Sequence, residues 1–448
     1  MASGQPGARS PTPIWSLVED SLDEAEFLWR RWEQALSSHA HDLEGVSFWI
    51  EERLSGSLEG VRVGAEPAFE RLLLPALDAD DSFRATAAAH VLATETAPRA
   101  FQLLVHGMKS TAPERLAIFR RAVELSHSDL LLARLERELA GVSPALGAAL
   151  MDARTFQGRE PTMAVAEALS SGELALQVAA VRALRCGAPQ FALNAVVSAC
   201  RSPDAGVVEA AVESGLMLGV ADAWSMCRHL AAARAPAPRA RLLLGLLGTE
   251  RDQTSLYDAL TLEDSRHEAM FALGFAGTFV AAEAAVQFMR EPTLAQLAAE
   301  AFCAITGLDL EAQKLLAPEA EGAPEEPIPF EQEDLDANLV PTPDELLPHP
   351  DVEGVLRWWR ANAGRFSSKE RYLRGRPLDL TRLHGALVAE PMRRRHAIAL
   401  ELGVRTHGRL QLQTRTFSGE QKRQLLSFTE MAGGSGPRSP LVPSFSRL

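Results

Sequence analysis

The sequence predicts an all-α protein organised as an α-solenoid, in which helical hairpins stack side by side. Between Glu66 and Gly307, a capping or turn residue and about a dozen small apolar residues recur about every 30 residues, a spacing typical of solenoid repeats. Hydrophobic residues make up 46% of the 448 residues but aromatic residues only 6%, which favours closely packed helices over sheet. Glycines follow several apolar runs, where a left-handed residue often ends a helix. They are Gly158, Gly187, Gly248, Gly277 and Gly307.

The N-terminal part predicts a helical cap, residues 13–65, after a disordered leader of residues 1–12. An amphipathic helix is predicted from apolar residues at three- and four-residue spacing. They are Leu17, Leu22, Ala25, Leu28, Trp29, Trp32 and Leu36. A second helix should run from the N-cap Asp42 to Leu54, with Leu43, Val46, Trp49 and Ile50 on one face. Gly60 and Gly64 then predict a tight crossing into the repeats. The alternative is that the two N-terminal helices bind a partner.

Residues 66–316 predict about eight HEAT-like repeats of two helices each. The most apolar helix of each repeat lies in a segment that begins at Asp80, Ala112, Ser143, Gly172, Pro203, Pro236, Glu263 or Glu291. Four of these segments have clear partner helices, in PTMAVAEALSS, PQFALNAVVSACR, ADAWSMCRHLAAAR and TFVAAEAAVQFMR. Ser143 and Ser202, each followed by proline, should cap two helices.

The C-terminal third begins with an acidic, proline-rich linker, residues 317–350, that we expect to be extended or disordered. Either Ile328-Pro-Phe330 or Leu346-Leu347 could instead lie along the array. Residues 351–430 predict a further helical region, and residues 431–448 a disordered tail. The first predicted helix of residues 351–430 carries Val352, Val355, Leu356 and Trp359 on one face. The last predicted helix of the same region begins with Arg393 to His396.

Composition argues against several classes of protein. The net charge of −14 repels nucleic acid and anionic lipid at long range. Neither a signal peptide nor a membrane span is predicted, so a cytoplasmic location is expected. The four cysteines lie inside apolar runs without a C-x-x-C pair, which predicts buried small hydrophobic residues. They are Cys186, Cys200, Cys227 and Cys303.

Catalytic and metal motifs are weak. The chain has one His-Glu dipeptide, His267-Glu268, which is too little for an iron site of the deoxyhypusine hydroxylase kind. The run His39-x-His41-Asp42 falls where a helix begins, so a capping role is favoured over metal binding. Nucleophile-elbow, phosphate-loop and zincin motifs are absent from the sequence. We therefore expect no catalytic residues, no metal and no cofactor.

Four blocks in order resemble a family of bacterial HEAT-repeat proteins found as paralogues in myxobacteria and other proteobacteria. They are EAEFLWRRWEQAL, EERLSGSLEGVRVGAEPAF, AFCAITGLDL and RYLRGRPLDLTRLHGAL, with a departure at Ser57-Leu58-Glu59. The resemblance implies a fold and no assigned catalytic residues. Members sit near genes for type VI secretion tip and PAAR-like proteins, which implies an adaptor or chaperone that holds an effector or spike component.

The sequence thus predicts a non-enzymatic scaffold that binds another protein. The predicted protein-binding residues form its basic C-terminal block: Arg371, Tyr372, Arg374, Arg376, Arg393 and Arg394. These arginines could instead pair with linker residues such as Glu331, Glu333 and Asp334, or bind nucleic-acid phosphate as repair-type solenoids do. A lyase or metal-dependent hydroxylase on a HEAT-like scaffold is the rival hypothesis, and the oligomeric state stays open.

Overall fold

A computed structural model confirms the all-α prediction. It describes residues 13–162, 164–187, 192–318 and 341–433, with the side chains of 429–433 excepted, and is about 70% helical. Within these ranges the sheet is one antiparallel hairpin of β1 (Tyr372–Leu373) and β2 (Arg376–Pro377). None of the helices described here is long and apolar enough to cross a membrane. The predicted leader, most of the linker and most of the tail lie outside the described residues.

The helices of the first half of the chain alternate with short loops. They are α1 (Trp15–Ala35), α2 (Leu43–Val46), α3 (Glu52–Arg62), α4 (Ala65–Ala68), α5 (Leu74–Leu77), α6 (Ser82–Thr94), α7 (Pro98–Ser110), α8 (Leu116–Ser126), α9 (Asp129–Glu138), α10 (Pro144–Phe156), α11 (Ala164–Leu169) and α12 (Leu174–Ala183). Two π-helical turns, Ser47–Glu51 and Phe69–Leu73, join neighbouring helices, and a 3₁₀ turn at Pro113–Arg115 precedes α8.

The second half continues in the same way. Its helices are α13 (Ala192–Ala199), α14 (Ala205–Met217), α15 (Ala221–Ala232), α16 (Pro238–Leu247), α17 (Glu250–Ala259), α18 (Arg266–Ala276), α19 (Phe279–Phe288), α20 (Ala295–Thr306), α21 (Val352–Asn362), α22 (Leu380–Ala389), α23 (Met392–Arg405) and α24 (Ser418–Gly433). Further 3₁₀ turns lie at Leu184–Cys186 and Ala363–Arg365. The α21 and α23 helices confirm the two helices predicted for the C-terminal region.

The chain forms two compact units. Of the described residues, the first unit comprises those within 13–36, 44–183 and 416–420. The second unit comprises those within 37–43, 184–415 and 421–433. Each unit therefore combines part of the repeat array with a segment from far along the sequence.

The repeat pattern is confirmed by helix packing inside each unit. All eight predicted segments contain an even-numbered helix, from α6 to α20. In the first unit α6 packs on α8, α8 on α10 and α10 on α12, and in the second unit α16 packs on α18 and α18 on α20. The four predicted partner helices are α11, α13, α15 and α19, and each contacts the even-numbered helix that follows it. This nearest-neighbour stacking is the packing of a solenoid-like fold.

The N-terminal segment departs from its prediction at the second helix. The chain stays helical from Leu43 through Arg62, so the predicted end at Leu54 and the crossing at Gly60 are wrong. Gly60 lies inside α3 because α3 passes close to α1: a Cβ at Gly60 would lie 2.4 Å from Ser21 Oγ. The π-helical turn at Ser47–Glu51 changes the angular spacing of the side chains, and Trp49 is 65% exposed instead of buried.

The predicted stripe of α1 is largely confirmed. Its buried face packs against α3 and α6, with Trp29 and Trp32 fully enclosed. Leu17 is the exception, since it is 59% exposed and Val18 takes the buried position beside it. The first helix thus covers the start of the repeat array in the first unit.

Helix ends follow the predicted signals in most cases. Ser143 caps α10 by accepting from Leu146 N at 3.2 Å, as predicted. The cap of α14 is Asp204, whose side chain accepts from Val207 N. Ser202 does not cap the helix, because its Oγ accepts from the Asp204 N–H before the helix begins. Gly158, Gly277 and Gly307 have left-handed φ values of 67°, 69° and 73°. Gly248 ends α16 in an extended conformation instead, with φ −69° and ψ 148°.

The backbones of α16 and α18 approach each other at Gly245. A Cβ on Gly245 would lie 2.2 Å from the Ala272 carbonyl oxygen, a distance that no side chain could accommodate without moving a helix. This contact fixes the separation of two successive repeats in the second unit.

Gly245→Val should therefore lower the free energy of unfolding by about 1–3 kcal/mol, the usual cost of overpacking a core. Urea unfolding followed by circular dichroism measures the change. Gly385→Ala is the matched control, because Gly385 lies inside α22 with nothing within 4 Å of its Cβ position. That control should be neutral or stabilising by about 0.5–1 kcal/mol. Equal unfolding midpoints for the two variants would contradict the close-approach argument.

The core of the first unit contains a buried histidine among aromatic rings. The His90 ring lies 5.3 Å from Trp29 and 5.8 Å from Phe417 between centroids. Its Nδ1 is 3.4 Å from the Ala122 carbonyl oxygen. Burial lowers the pKa of His90 from 6.5 to about 4, so the folded unit holds this imidazole neutral.

Acidification should destabilise the first unit through His90. Between pH 6.5 and about 4 the unfolded chain binds a proton that folded His90 does not, so stability is lost as the pH falls, by about 1.4 kcal/mol per pH unit. Urea unfolding at pH 7, 6 and 5, followed by tryptophan fluorescence, measures this slope. His90→Leu should be less stable at pH 7, and its free energy of unfolding should fall less steeply than that of the wild type as the pH falls. If the free energy of unfolding of His90→Leu depended on pH as steeply as that of the wild type, other groups would be responsible for the acid sensitivity.

Candidate functional site

The predicted basic block forms part of a structure in the second unit that we call the C-terminal brace. It consists of the β1–β2 hairpin with the preceding Arg371, and helix α23. The brace contacts the C-terminal ends of α16, α18 and α20. The last four carbonyls of an α-helix have no partner inside the helix, so such ends need donors from elsewhere.

The hairpin supplies backbone donors to two of these ends. Tyr372 N donates to Gly277 O at 2.7 Å, Arg374 N to Ala304 O at 2.7 Å, and Gly375 N to Ile305 O at 2.9 Å. Arg374 and Gly375 have φ values of 51° and 73°, as the two-residue turn of a tight hairpin requires.

Two glycines make this docking possible. A Cβ on Gly277 would lie 2.6 Å from Tyr372 O, and a Cβ on Gly307 would lie 2.6 Å from Arg374 O. Both glycines also adopt the left-handed conformation that ends their helices. The same residues therefore end α18 and α20 and admit the hairpin.

Arginine side chains supply the remaining donors. Arg371 donates from Nε to Ala276 O and from Nη2 to Phe275 O, both at 2.8 Å. Arg394 Nη2 donates to Gly274 O at 2.9 Å, and Arg405 Nη2 donates to Leu246 O at 3.1 Å. The C-terminal end of a helix carries negative partial charge, so a cation there is stabilising.

Buried carboxylates balance these arginines. Glu401 Oε1 accepts from Arg371 Nη1 at 2.9 Å and lies 2.7 Å from Arg405 Nη2. Glu390 accepts from Arg374 Nε and Nη2 at 2.6 and 2.9 Å, and lies 3.5 Å from Arg394 Nε. Burial lowers the pKa of Arg371 and of Arg394, while these carboxylates oppose the shift. The guanidiniums stay charged because the ordinary pKa of arginine is far above neutral pH.

The structure gives most of the predicted binding residues a role inside the chain. Arg393 and Arg394 are only 8% and 1% exposed, and Tyr372 is buried beside Phe366. Arg374 and Arg376 keep exposed side chains. The partner-binding role of this block stays a prediction, but in this conformation Arg394 has no surface to offer a partner.

An acidic residue of the predicted linker pairs with the basic block. Glu331, Glu333 and Asp334 lie outside the described residues. From the predicted linker, Asp344 Oδ1 accepts from Arg393 Nη2 at 2.7 Å. Leu347 of the same segment is buried, which fits the alternative that part of the linker lies along the array.

The hairpin and the carboxylates that hold the brace were not predicted from the sequence. The signal for the hairpin was Arg374-Gly375 between Tyr372-Leu373 and Arg376-Pro377, since a two-residue loop with glycine second is a hairpin signal. The signal for the carboxylates was Glu401 within the apolar part of α23, where an acid is buried only if it is paired.

A cavity of about 440 Å³ lies in the second unit where three helices begin, and we call it the α16/α18/α23 cavity. Arg239 from α16, His267 and Glu268 from α18, and Arg393 and His396 from α23 line it. The remaining walls include Phe271, Arg415, and the Thr342–Asp344 segment. This arrangement brings together titratable side chains that are far apart in sequence.

The histidine motifs weighed as metal ligands have other contacts. Glu268 pairs with the buried Arg241 and accepts from Ala237 N at 3.2 Å, while His267 Nε2 is 3.1 Å from Thr293 O. His41 accepts through its backbone oxygen from Met392 N, and burial and Arg393 lower the pKa of His39. Within the described ranges no group of three or more His, Cys, Asp or Glu side chains is placed to hold a metal ion. The four cysteines form no disulfide with one another.

The first unit carries a larger recess, the α10–α12 groove, of about 670 Å³. Leu139, Leu150, Met151, Val165 and Leu176 supply apolar walls. Its polar rim includes Arg154 and Arg159, which pair with Glu136 and Asp129 at 3.1 and 2.7 Å. The groove therefore offers an apolar floor, with two ion pairs and the exposed carboxylate of Glu167 on its rim.

Neither a protein-family model nor a curated protein matches this chain. The geometry of the two recesses and of the brace is therefore the evidence on function.

Glu401→Ala should lower the free energy of unfolding by about 3–5 kcal/mol, because it leaves Arg371 and Arg405 buried without their shared carboxylate. Urea unfolding measures the loss. Glu353→Ala is the control, since Glu353 pairs with Arg290 on the surface, where the side chains are 64% and 60% exposed. The control should change stability by at most about 1 kcal/mol. Similar losses in both variants would show that the brace does not depend on Glu401.

Proposed function

We propose that this protein is a non-enzymatic scaffold that binds another protein through the helices of its repeat array. The observation that carries the proposal is the α10–α12 groove, an open apolar recess between consecutive repeats. Protein partners insert apolar anchor side chains into such recesses, and these anchors supply most of the binding energy.

The shape and chemistry of the groove suit an apolar segment of a partner. Its volume of about 670 Å³ is enough for several side chains, and its walls come from helices α9 to α12. The two ion pairs on its rim balance their own charges, and the exposed carboxylate of Glu167 on the same rim favours a basic residue beside the apolar segment. The net charge of −14 favours a partner with basic residues beside the apolar segment.

The resemblance to bacterial HEAT-repeat proteins extends this proposal to a partner. An adaptor or chaperone for type VI secretion would hold an effector, a PAAR-like protein or another spike component before loading. An acidic chain that presents an apolar groove is suited to shielding an apolar segment of such a cargo until it is assembled.

The proposal is tested by capture from the native host. Leu176 lines the groove, so Leu176→Glu should reduce capture of the specific partner by about tenfold or more, because burial of a leucine contributes about 1.5–3 kcal/mol. Leu174→Glu is the matched control, since Leu174 lies two residues away on α12 and is 51% exposed. Tagged wild type and both variants are used to purify partners, which mass spectrometry quantifies.

The expected result is a protein retained by wild type and by Leu174→Glu and depleted with Leu176→Glu. Circular dichroism must show that both variants keep the helical content of the wild type. Equal capture by all three chains would reject the groove as the binding site. Depletion by both glutamate variants would point to a general effect of added charge on α12.

A further inference from the structure

We infer that Phe48 and Trp49, on the N-terminal helices of the first unit, form a docking surface for a basic segment of another protein. The segment that fits this surface carries an arginine or lysine beside an apolar side chain. The surface shares no residue with the α10–α12 groove, so the inference does not depend on that groove as a binding site.

The two aromatic side chains are exposed together. Phe48 is 58% and Trp49 is 65% exposed, and their ring centroids lie 4.8 Å apart at an interplanar angle of 85°. This edge-to-face contact joins the two rings into one apolar patch. Single exposed apolar residues are common on protein surfaces, but adjoining aromatic rings concentrate the exposed apolar area, and aromatic residues are enriched where proteins bind each other.

The backbone holds both rings on the outside of the unit. They belong to the π-helical turn Ser47–Glu51, and such turns are frequent at functional sites. The last two residues of the turn point inward, since Ile50 is buried and Glu51 accepts from Trp32 Nε1 at 2.8 Å. Because these contacts fix the turn, the two aromatic rings stay on the surface.

A carboxylate lies beside the rings. Glu52 follows Trp49 by three residues and Phe48 by four, and residues at these spacings are neighbours on a helix surface. Glu52 is exposed, and among the described residues its carboxylate forms no ion pair. The next residue, Arg53, pairs with Glu24 at 2.5 Å. The surface therefore sets a negative charge next to an apolar patch.

The charge of the surrounding helices favours a basic partner. Residues 13–36 and 44–62, the described part of the first unit up to the end of α3, carry ten carboxylates and four arginines. This net charge of −6 attracts cations at long range and raises the association rate of a basic segment. At contact, the face of the Trp49 ring attracts an arginine or lysine, and Glu52 can pair with the same cation.

The acidic surroundings also favour a protein over a membrane as the partner. Aromatic side chains insert at membrane surfaces as well, but proteins that bind there use lysine and arginine to meet anionic lipid headgroups. The negative charge around Phe48 and Trp49 would be repelled by such headgroups. A basic protein segment suits both the apolar and the charged part of the surface.

Fluorescence anisotropy with the full chain tests the inference, using a labelled amphipathic peptide of leucine and arginine. A peptide in which glutamate replaces every arginine is its control, and the arginine peptide should bind at least about tenfold more tightly. Trp49→Ala should weaken binding of the arginine peptide by about tenfold or more, since aromatic anchors supply much of the binding energy of an interface. Glu52→Gln should weaken it by about two- to fivefold, the range of an exposed ion pair.

Two matched variants change exposed side chains elsewhere in the first unit. Leu130→Ala removes an 81% exposed leucine on α9, and Glu114→Gln removes an exposed carboxylate. Both should bind the arginine peptide as the wild type does, and circular dichroism should show the helical content of the wild type in every variant. Equal binding to wild type, Trp49→Ala and Glu52→Gln would overturn the inference.

Two other outcomes would also overturn it, and each identifies what the surface or the peptide does instead. Loss of peptide binding in Leu176→Glu but not in Trp49→Ala would assign the peptide to the α10–α12 groove and leave the proposed function standing. Retention of the wild type on phosphatidylcholine vesicles, lost in Trp49→Ala and without peptide binding, would identify a membrane-binding surface.

Discussion

The structure of the second unit depends on how the open ends of stacked helices are satisfied. Each helix leaves its last carbonyls without partners, and in a repeat array the ends of successive helices come close together. Here the C-terminal brace brings donors to three such ends, from backbone N–H groups and from arginine forks. A segment remote in sequence thereby becomes part of the repeat fold.

Arginine is suited to this role for physical reasons. Its planar fork reaches two carbonyls at once, as Arg371 does with Phe275 and Ala276, whereas a lysine offers a single point charge. The cost is that several cations are buried, and each needs a carboxylate. Glu390 and Glu401 are therefore as important to the brace as the arginines that they hold.

The two recesses differ in chemistry because different parts of the repeat line them. The α10–α12 groove lies along helix sides, where alanine, leucine and methionine face each other, so it is apolar. The α16/α18/α23 cavity lies at helix beginnings, where charged side chains collect, so titratable groups are set among its apolar walls.

Prediction from sequence succeeded where the determining forces are local. The apolar period from Asp80 onward predicted the eight even-numbered helices from α6 to α20, and the glycines at 277 and 307 predicted left-handed helix ends. It failed at Trp49, because a π-helical turn changes the side-chain direction without an obvious sequence signal. The two recesses could not be predicted from the sequence either, since their walls combine side chains from several helices.

The sequence by itself determined the all-α class, the repeat period and the arginine-rich character of the C-terminal block, because helix formation and apolar patterning act over a few residues. Only the tertiary structure decided what those arginines contact. Their partners are carbonyls 95 to 159 residues away and carboxylates 4 to 30 residues away, as in Arg394 with Gly274 and Arg371 with Glu401. Long-range pairing of buried charges depends on packing geometry, which no local pattern encodes.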